Sequence, residues 1–137
     1  MGLNCVFCNL ELEPEQQILL SNKYCMFLQL KEADQQERKQ LNGAGLIVPI
    51  KHRRTVFDLT NEEWNATYTL LQEVKKLIDV RYHPDGYNLG WNCETIGGQH
   101  IMHAHFHVIP RYKEEPFAGK GIRYLFKSKH KKVNINK

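Results

Sequence analysis

Two rhythms of hydrophobic and polar positions divide the chain. Short apolar runs at residues 17–21, 23–30 and 45–50 predict strands, separated by turns that contain Asn and Gly. Between the second and third, residues 31–42 are mostly polar and charged and read as an exposed loop. From residue 60 the rhythm lengthens. Trp64, Thr67, Tyr68, Leu71, Val74, Lys75 and Ile78 recur at helical spacing. Ahead of them Thr60-Asn61-Glu62-Glu63 forms a capping box: the Thr hydroxyl accepts from the amide three residues on, and the Glu reaches back. His83-Pro84-Asp85-Gly86 stops the pattern, which predicts one helix from 61 to about 82. Strands follow at 87–92 and 101–109, joined by a loop at 93–99. Several strands, one long helix and two more strands predict an α+β domain, an antiparallel sheet with the helix on one face.

The 137 residues suit one domain, so no second unit and no disulfide staple is required. No apolar run is long enough to span a membrane, which argues against a membrane partner. Met1-Gly2-Leu3-Asn4-Cys5 lacks the basic start and apolar stretch of a signal peptide, so a cytoplasmic location is expected. In that compartment the four cysteines are thiols or metal ligands rather than disulfides. Much of the net charge of +4 sits at the end, in Lys127, Lys129, Lys131, Lys132 and Lys137. The expected division is a domain over 1–127 and a basic, disordered tail over 128–137. The tail is read as a solvated terminus in preference to a patch that attracts phosphate, and nucleic acid is not expected as a partner.

Within the last strand stand His103, His105 and His107, with Ala104, Phe106 and Val108 between and after them. Alternate side chains on a strand share a face, so the spacing places three imidazoles in a row and the apolar residues against a core. Three histidines on one face are hard to explain as core residues, because every ring nitrogen needs a partner. Two readings remain: chelation of a metal, or nucleophilic catalysis, in which one imidazole presents a lone pair and its neighbours supply charge and protons. Gly97-Gly98-Gln99 just before the strand favours a phosphate ligand, since glycines let backbone amides approach an anion. Cys5-Val6-Phe7-Cys8 is either a redox pair or half of a zinc site. Cys25 and Cys93 stand alone and read as packing residues.

Gly97-Gly98-Gln99 followed by His103-Ala104-His105-Phe106-His107-Val108-Ile109 resembles the signature of the histidine triad superfamily, His-φ-His-φ-His-φ-φ with φ apolar. Leu46-Ile47-Val48-Pro49-Ile50-Lys51-His52 is similar to the family's strand ending in Val-Ile-Pro-x-x-His, and Phe57-Asp58-Leu59-Thr60 to the helix start after it. The resemblance runs from about Cys5 to Arg111.

It implies a histidine triad fold: a five-stranded antiparallel sheet with one long and one short helix, in a homodimer. It also implies a hydrolase or nucleotidyl transferase acting on the α-phosphate of purine nucleotide conjugates such as phosphoramidates, adenylates or diadenosine polyphosphates. In that reading His105 is the nucleophile that forms a covalent nucleotidyl-histidine, and His107 binds the phosphate. Asn92, Gln99 and amides near Gly98 position its oxygens. Members that open with CxxC imply a structural Zn2+ on Cys5, Cys8, His52 and His103. Two positions depart from the family pattern. His100 stands where the family often has Ser or Thr, and either protonates the leaving group or faces solvent. The ribose-binding residue after the second strand is absent, and Gln29 is the candidate for it. Residues 119–123 either add phosphate contacts or form an ordinary loop leading to an edge segment. A sensor module with little turnover is the alternative from another class, and a metal hydrolase using the three histidines is a third.

Overall fold

Alternation along each strand sorts the side chains onto two faces, and the two faces are covered by different parts of the chain. The computed structural model describes residues 4–31 and 42–127. The elements are β1 (Gln16–Ser21), β2 (Cys25–Leu30), β3 (Gly45–Pro49), α1 (Asn61–Tyr82), β4 (Gly86–Trp91) and β5 (Phe106–Arg111). They form one five-stranded antiparallel sheet in the order β1-β2-β3-β5-β4.

The first face lies under α1. Cys25 and Phe27 of β2, Ile47 of β3 and Val108 of β5 pack against Leu70, Val74 and Ile78, all fully buried. Each such aliphatic or aromatic side chain contributes roughly 1.5–3 kcal/mol. The second face carries Met26, Leu28 and Val48, covered by Phe7 and its neighbours from the N-terminal segment. Leu28 pairs with Leu46, Leu46 with His107, and His107 with Gly90. Residues paired across a ladder share a face, so His107 belongs to the second face, away from α1.

The expected helix forms with its expected cap. Thr60 Oγ1 accepts from the Glu63 amide at 3.1 Å, and the Glu63 carboxylate accepts from the Thr60 amide at 2.8 Å. At the other end His83 takes the left-handed conformation (φ 53°) and donates its amide to Asp79. Trp64 and Tyr68 differ from expectation: both are exposed, and Glu63 and Leu70 take core positions. Trp64 instead stacks on Trp91, ring centroids 6.3 Å apart, along the flank of α1 nearest the sheet edge. The other short helical pieces are 3-10 turns, at Leu10–Leu12, Val56–Asp58, Thr95–Gly97 and Tyr124–Lys127.

Two strands start later than the pattern predicts. β2 begins at Cys25 because Asn22 Oδ1 accepts from the amides of both Tyr24 and Cys25, which makes a turn of residues 22–24. β5 begins at Phe106, so His103 and His105 precede the ladder and only His107 lies in it. Most of the expected loop at 31–42 and the whole expected tail at 128–137 lie outside the described residues. Among the described residues no helix is long and apolar enough to cross a membrane.

Candidate active site and metal centre

The segment before β5 is held by the chain that follows β3. The Ala104 amide donates to the Arg53 carbonyl at 2.7 Å, and His103 Nε2 donates to the Pro49 carbonyl at 2.8 Å. His105 Nδ1 donates to the His103 carbonyl at 2.9 Å. A carbonyl only accepts, so the Nδ1 proton is fixed and neutral His105 keeps its lone pair on Nε2. The His105 and His107 rings lie 5.0 Å apart between centroids, and Phe7 packs 5.4 Å from His105. His107 Nε2 is buried and has no hydrogen-bond partner among the described residues. Unpartnered buried nitrogens are uncommon and mark places where a ligand belongs. Burial holds His105 below the ordinary histidine range, opposed by its bond to His103; burial and the neighbouring His105 lower His107 too.

The turn between β4 and the triad is closed on itself. The Gly98 amide donates to Thr95 and the Gln99 amide to Glu94, both at 3.0 Å. Gln99 is fully buried. Its Oε1 accepts from the Glu94 amide at 2.7 Å, and its Nε2 donates to the carbonyls of Arg54 and Ile101 at 2.7 and 3.0 Å. Gln99 and the amides near Gly98, expected on phosphate oxygens, thus serve the turn. Gly98 has φ 96°, and a Cβ there would lie 3.6 Å from Asn92 Cγ. That geometry brings Asn92 to the turn. Asn92 and His100 are both exposed, and His100 lines a cavity together with Cys5 and His52.

Gln29 is not brought to the site. It is buried, and its Nε2 donates to the Gly43 carbonyl at 3.0 Å. Its register places it on the helix-covered face with Phe27, opposite to His107. Residues 119–123 form turns, and Arg111 ties them down by donating to the Lys120 carbonyl at 2.7 Å.

Cys5, Cys8, His52 and His103 meet on the other side of His105. Cys8 and Asn9 donate their amides to the Cys5 carbonyl, a turn that directs both thiols one way. The four ligand atoms lie within 4.8 Å of one another. Cys5 Sγ is 3.4 Å and Cys8 Sγ 3.5 Å from His103 Nδ1; Cys8 Sγ is 3.2 Å from His52 Nδ1, and the two Nδ1 atoms are 3.1 Å apart. A tetrahedral zinc with two sulfur and two nitrogen ligands separates its donors by roughly 3.3–3.8 Å. The geometry therefore fits such an ion. His103 Nε2–H on Pro49 fixes the tautomer that leaves Nδ1 as the donor atom.

The residues that sequence reasoning missed are Arg53, Arg54, Glu63 and Glu94. Arg53 Nε donates to both Glu63 carboxylate oxygens at 3.0 and 3.2 Å. Arg54 meets Glu94 through Nε and Nη2, the shortest contact 2.8 Å. Burial alone would raise the Glu63 carboxyl, but Arg53 and the Thr60 amide outweigh it and hold it below its usual range. A pair of arginines directly after His52 was the one available signal.

The HIT domain family profile matches residues 12–114. An uncharacterized HIT-like protein of Methanocaldococcus jannaschii is 36% identical over 73 residues, 52% of this chain and 54% of that protein. Adenosine 5'-monophosphoramidase of Schizosaccharomyces pombe is 33% identical over 79 residues, 58% of this chain and 56% of that protein. A bis(5'-adenosyl)-triphosphatase of Saccharomyces cerevisiae is 38% identical over 74 residues, 52% of this chain and 35% of that protein. The chain spans about half the length of the first two relatives and about a third of the last. Among solved structures, a HIT family protein from Bacillus anthracis superposes with a TM-score of 0.68 at 26% identity, covering 82% of this chain and 76% of that one. A Zn-bound histidine triad family protein from Mycobacterium smegmatis superposes with a TM-score of 0.67 at 20% identity, covering 85% and 81%. Most of the described chain falls within the matched profile, and the sheet is one that solved members share, so the chain belongs to the HIT domain family.

Proposed function

We propose that the protein is a nucleotide hydrolase or nucleotidyl transferase acting on the α-phosphate of purine nucleotide conjugates. One observation carries the reading. His105 holds its Nδ1 proton on the His103 carbonyl, and beside it His107 offers a buried Nε2 with no partner among the described residues. His105 Nε2 attacks the α-phosphorus; a P–N bond forms as the bond to the leaving group breaks. The leaving group departs with the bonding pair and takes a proton from water or from exposed His100. The carbonyl of His103 steadies the positive charge that the attacking ring acquires. Water or another acceptor then attacks phosphorus and gives its proton to solvent or to His100, the P–N bond breaks and its pair returns to His105. His107 and Asn92 hold the phosphoryl oxygens through both steps, because positioning and charge stabilisation supply most of phosphoryl-transfer catalysis. The substrate class is supported by two named relatives, a monophosphoramidase and an adenosyl triphosphatase, both acting on adenosine nucleotides.

A structural Zn2+ on Cys5, Cys8, His52 and His103 would fasten the N-terminal segment to the triad. The donor spacing supports it, as does the zinc-bound neighbour from Mycobacterium smegmatis. With His103 engaged there, His105 and His107 remain for chemistry. A homodimer through β4 is the proposed assembly. β4 is an edge strand, and Leu89 on it and Trp64 and Tyr68 on the adjoining flank of α1 are exposed. An open edge beside exposed aromatic side chains suits pairing with a second copy.

The test is rapid mixing with radiolabelled adenosine 5'-phosphoramidate, an alkaline denaturing quench and analysis of the protein. An alkali-stable, acid-labile nucleotidyl adduct on His105 supports the reading. Saturable nucleotide binding with neither adduct nor released monophosphate would leave the sensor module in its place.

A further inference from the structure

Two consecutive carbonyls, those of Arg53 and Arg54, hold the two halves of the site. The first accepts from the Ala104 amide, between the two histidines of the segment before β5. The second accepts from Gln99 Nε2 in the turn that carries Asn92. The side chains that flank these carbonyls are themselves anchored. Arg53 reaches the buried carboxylate of Glu63 in the first turn of α1. Arg54 reaches Glu94, and the contacts there close a ring. Arg54 donates to the Glu94 carboxylate, the Glu94 amide donates to Gln99 Oε1, and Gln99 Nε2 donates back to the Arg54 carbonyl. Glu94 itself stands at φ 66°, ψ 165°, a region that side chains other than hydrogen rarely occupy. A residue in that conformation persists only where its surroundings hold it there, and here the surroundings are Gln99 and Arg54.

We propose that Arg53 and Arg54 are positioning residues, which set the distance between the His105 segment and the 92–99 turn through their backbone carbonyls. The guanidinium groups do not touch substrate. Arg53 transmits the placement of α1 to the triad, and Arg54 locks the strained turn to the same two residues of backbone. A local shift of the turn relative to His105 spoils alignment of phosphorus with Nε2, and alignment errors act on the rate of the chemical step. The kinetic arm of this inference rests on the nucleotide reading above; the structural arm does not.

The experiment uses the full chain and five variants: Arg53→Met, Arg54→Met, Arg54→Lys, Glu94→Ala and the double Arg54→Met with Glu94→Ala. With adenosine 5'-phosphoramidate, kcat should fall about tenfold in Arg54→Met and in Glu94→Ala while KM stays within about threefold. The double variant should fall no further than either single one, because both break the same ring. Arg54→Lys should recover part of the loss. A large rise in KM with kcat intact for Arg54→Met, or a normal kcat for Glu94→Ala beside a slow Arg54→Met, would show that Arg54 meets substrate and would overturn the proposal. Amide hydrogen exchange supplies the second readout. The Gln99 amide should exchange about tenfold faster in Arg54→Met, and the Ala104 amide in Arg53→Met. Unchanged exchange at both overturns the proposal whether or not the protein turns over nucleotides. A wild-type chain that hydrolyses no nucleotide conjugate but shows the faster exchange in the variants removes the functional reading and leaves the positioning role standing.

Discussion

The carbonyl of His103 accepts the Nδ1 proton of His105 at 2.9 Å, while the His103 ring faces two thiols and His52 on its other side. One residue thus belongs to the metal cluster by its ring and to the reacting histidine by its backbone. The proposed nucleophile is oriented by a residue that the metal would hold still.

His105→Ala should abolish turnover while nucleotide affinity stays within about tenfold, about 1.4 kcal/mol. Titration calorimetry with AMP and a release assay check the two halves. A variant with more than a tenth of the wild-type rate would refute the assignment.

Protein purified without chelator should hold one zinc per chain by elemental analysis. Cys5→Ser with Cys8→Ser should lose it, and thermal stability should suffer more than the rate measured well below the melting temperature. The ligands fasten the N-terminal segment, and binding free energy at such a site is folding free energy. Retention of zinc by the double variant would place the ion elsewhere.

Burial, partly opposed by the bond to the His103 carbonyl, lowers the pKa of His105, and burial lowers that of His107. Neutral His105 therefore persists into more acid solution than a free histidine allows. The acid limb of kcat/KM should fall below about 6.5, the ordinary histidine value. The sign for stability is the same. Unfolding returns both rings to their ordinary pKa, so the unfolded chain binds more protons just below that value, and stability is lost as pH falls toward the folded pKa values. A limb at or above the ordinary value would contradict the burial argument. If His100 protonates the leaving group, His100→Ala should slow amine-releasing substrates more than those that release a nucleoside diphosphate.

Gly45→Ala should destabilise the protein by about 1–3 kcal/mol, the range for overpacking a full site. A Cβ on Gly45 would come within 2.5 Å of the Leu28 carbonyl oxygen and of the Phe27 ring, and β2 is held by β3 on that side. Urea denaturation measures it. Stability equal to wild type would mean that β2 and β3 separate more readily than their packing suggests.

Leu89→Lys and Tyr68→Glu should each yield a monomer by sedimentation if β4 is the dimer edge. A wild-type chain that sediments as a monomer would dispose of that assembly.

The sequence made the helix and its cap legible because both are local: periodicity, a Thr and a Glu three residues on, and a Pro-Gly stop. It also made the candidate metal cluster legible, its cysteines through CxxC and its histidines through the resemblance, and the triad through alternation. What it did not show depends on contacts between distant segments. Ala104 on Arg53, Gln99 on Arg54 and Glu94 on Arg54 join residues 40 or more apart. No short window of sequence contains them. The bonds that Gln99 and Gln29 make to distant backbone are hidden from the sequence for the same reason. A glutamine beside a phosphate motif or on an inner strand looks available until its amide is seen to be used by backbone. The start of β5 was missed because alternation continues through residues 101–105, which bend and make no ladder bonds, and periodicity alone does not distinguish these from a strand.

The thiol of Cys5 and the ring of His103 come together across 98 residues of chain. On a ribosome that adds 5–20 residues per second, roughly 5–20 s pass between the synthesis of the one and of the other. During that interval the CxxC pair meets no histidine of its cluster until His52 emerges after the third strand, and then only that one. The last arrival completes the assembly. An interruption of translation before residue 103 therefore leaves the cluster without His103, β3 with an open edge and β4 with no strand to pair with, and such a chain is a natural substrate for chaperones and proteases.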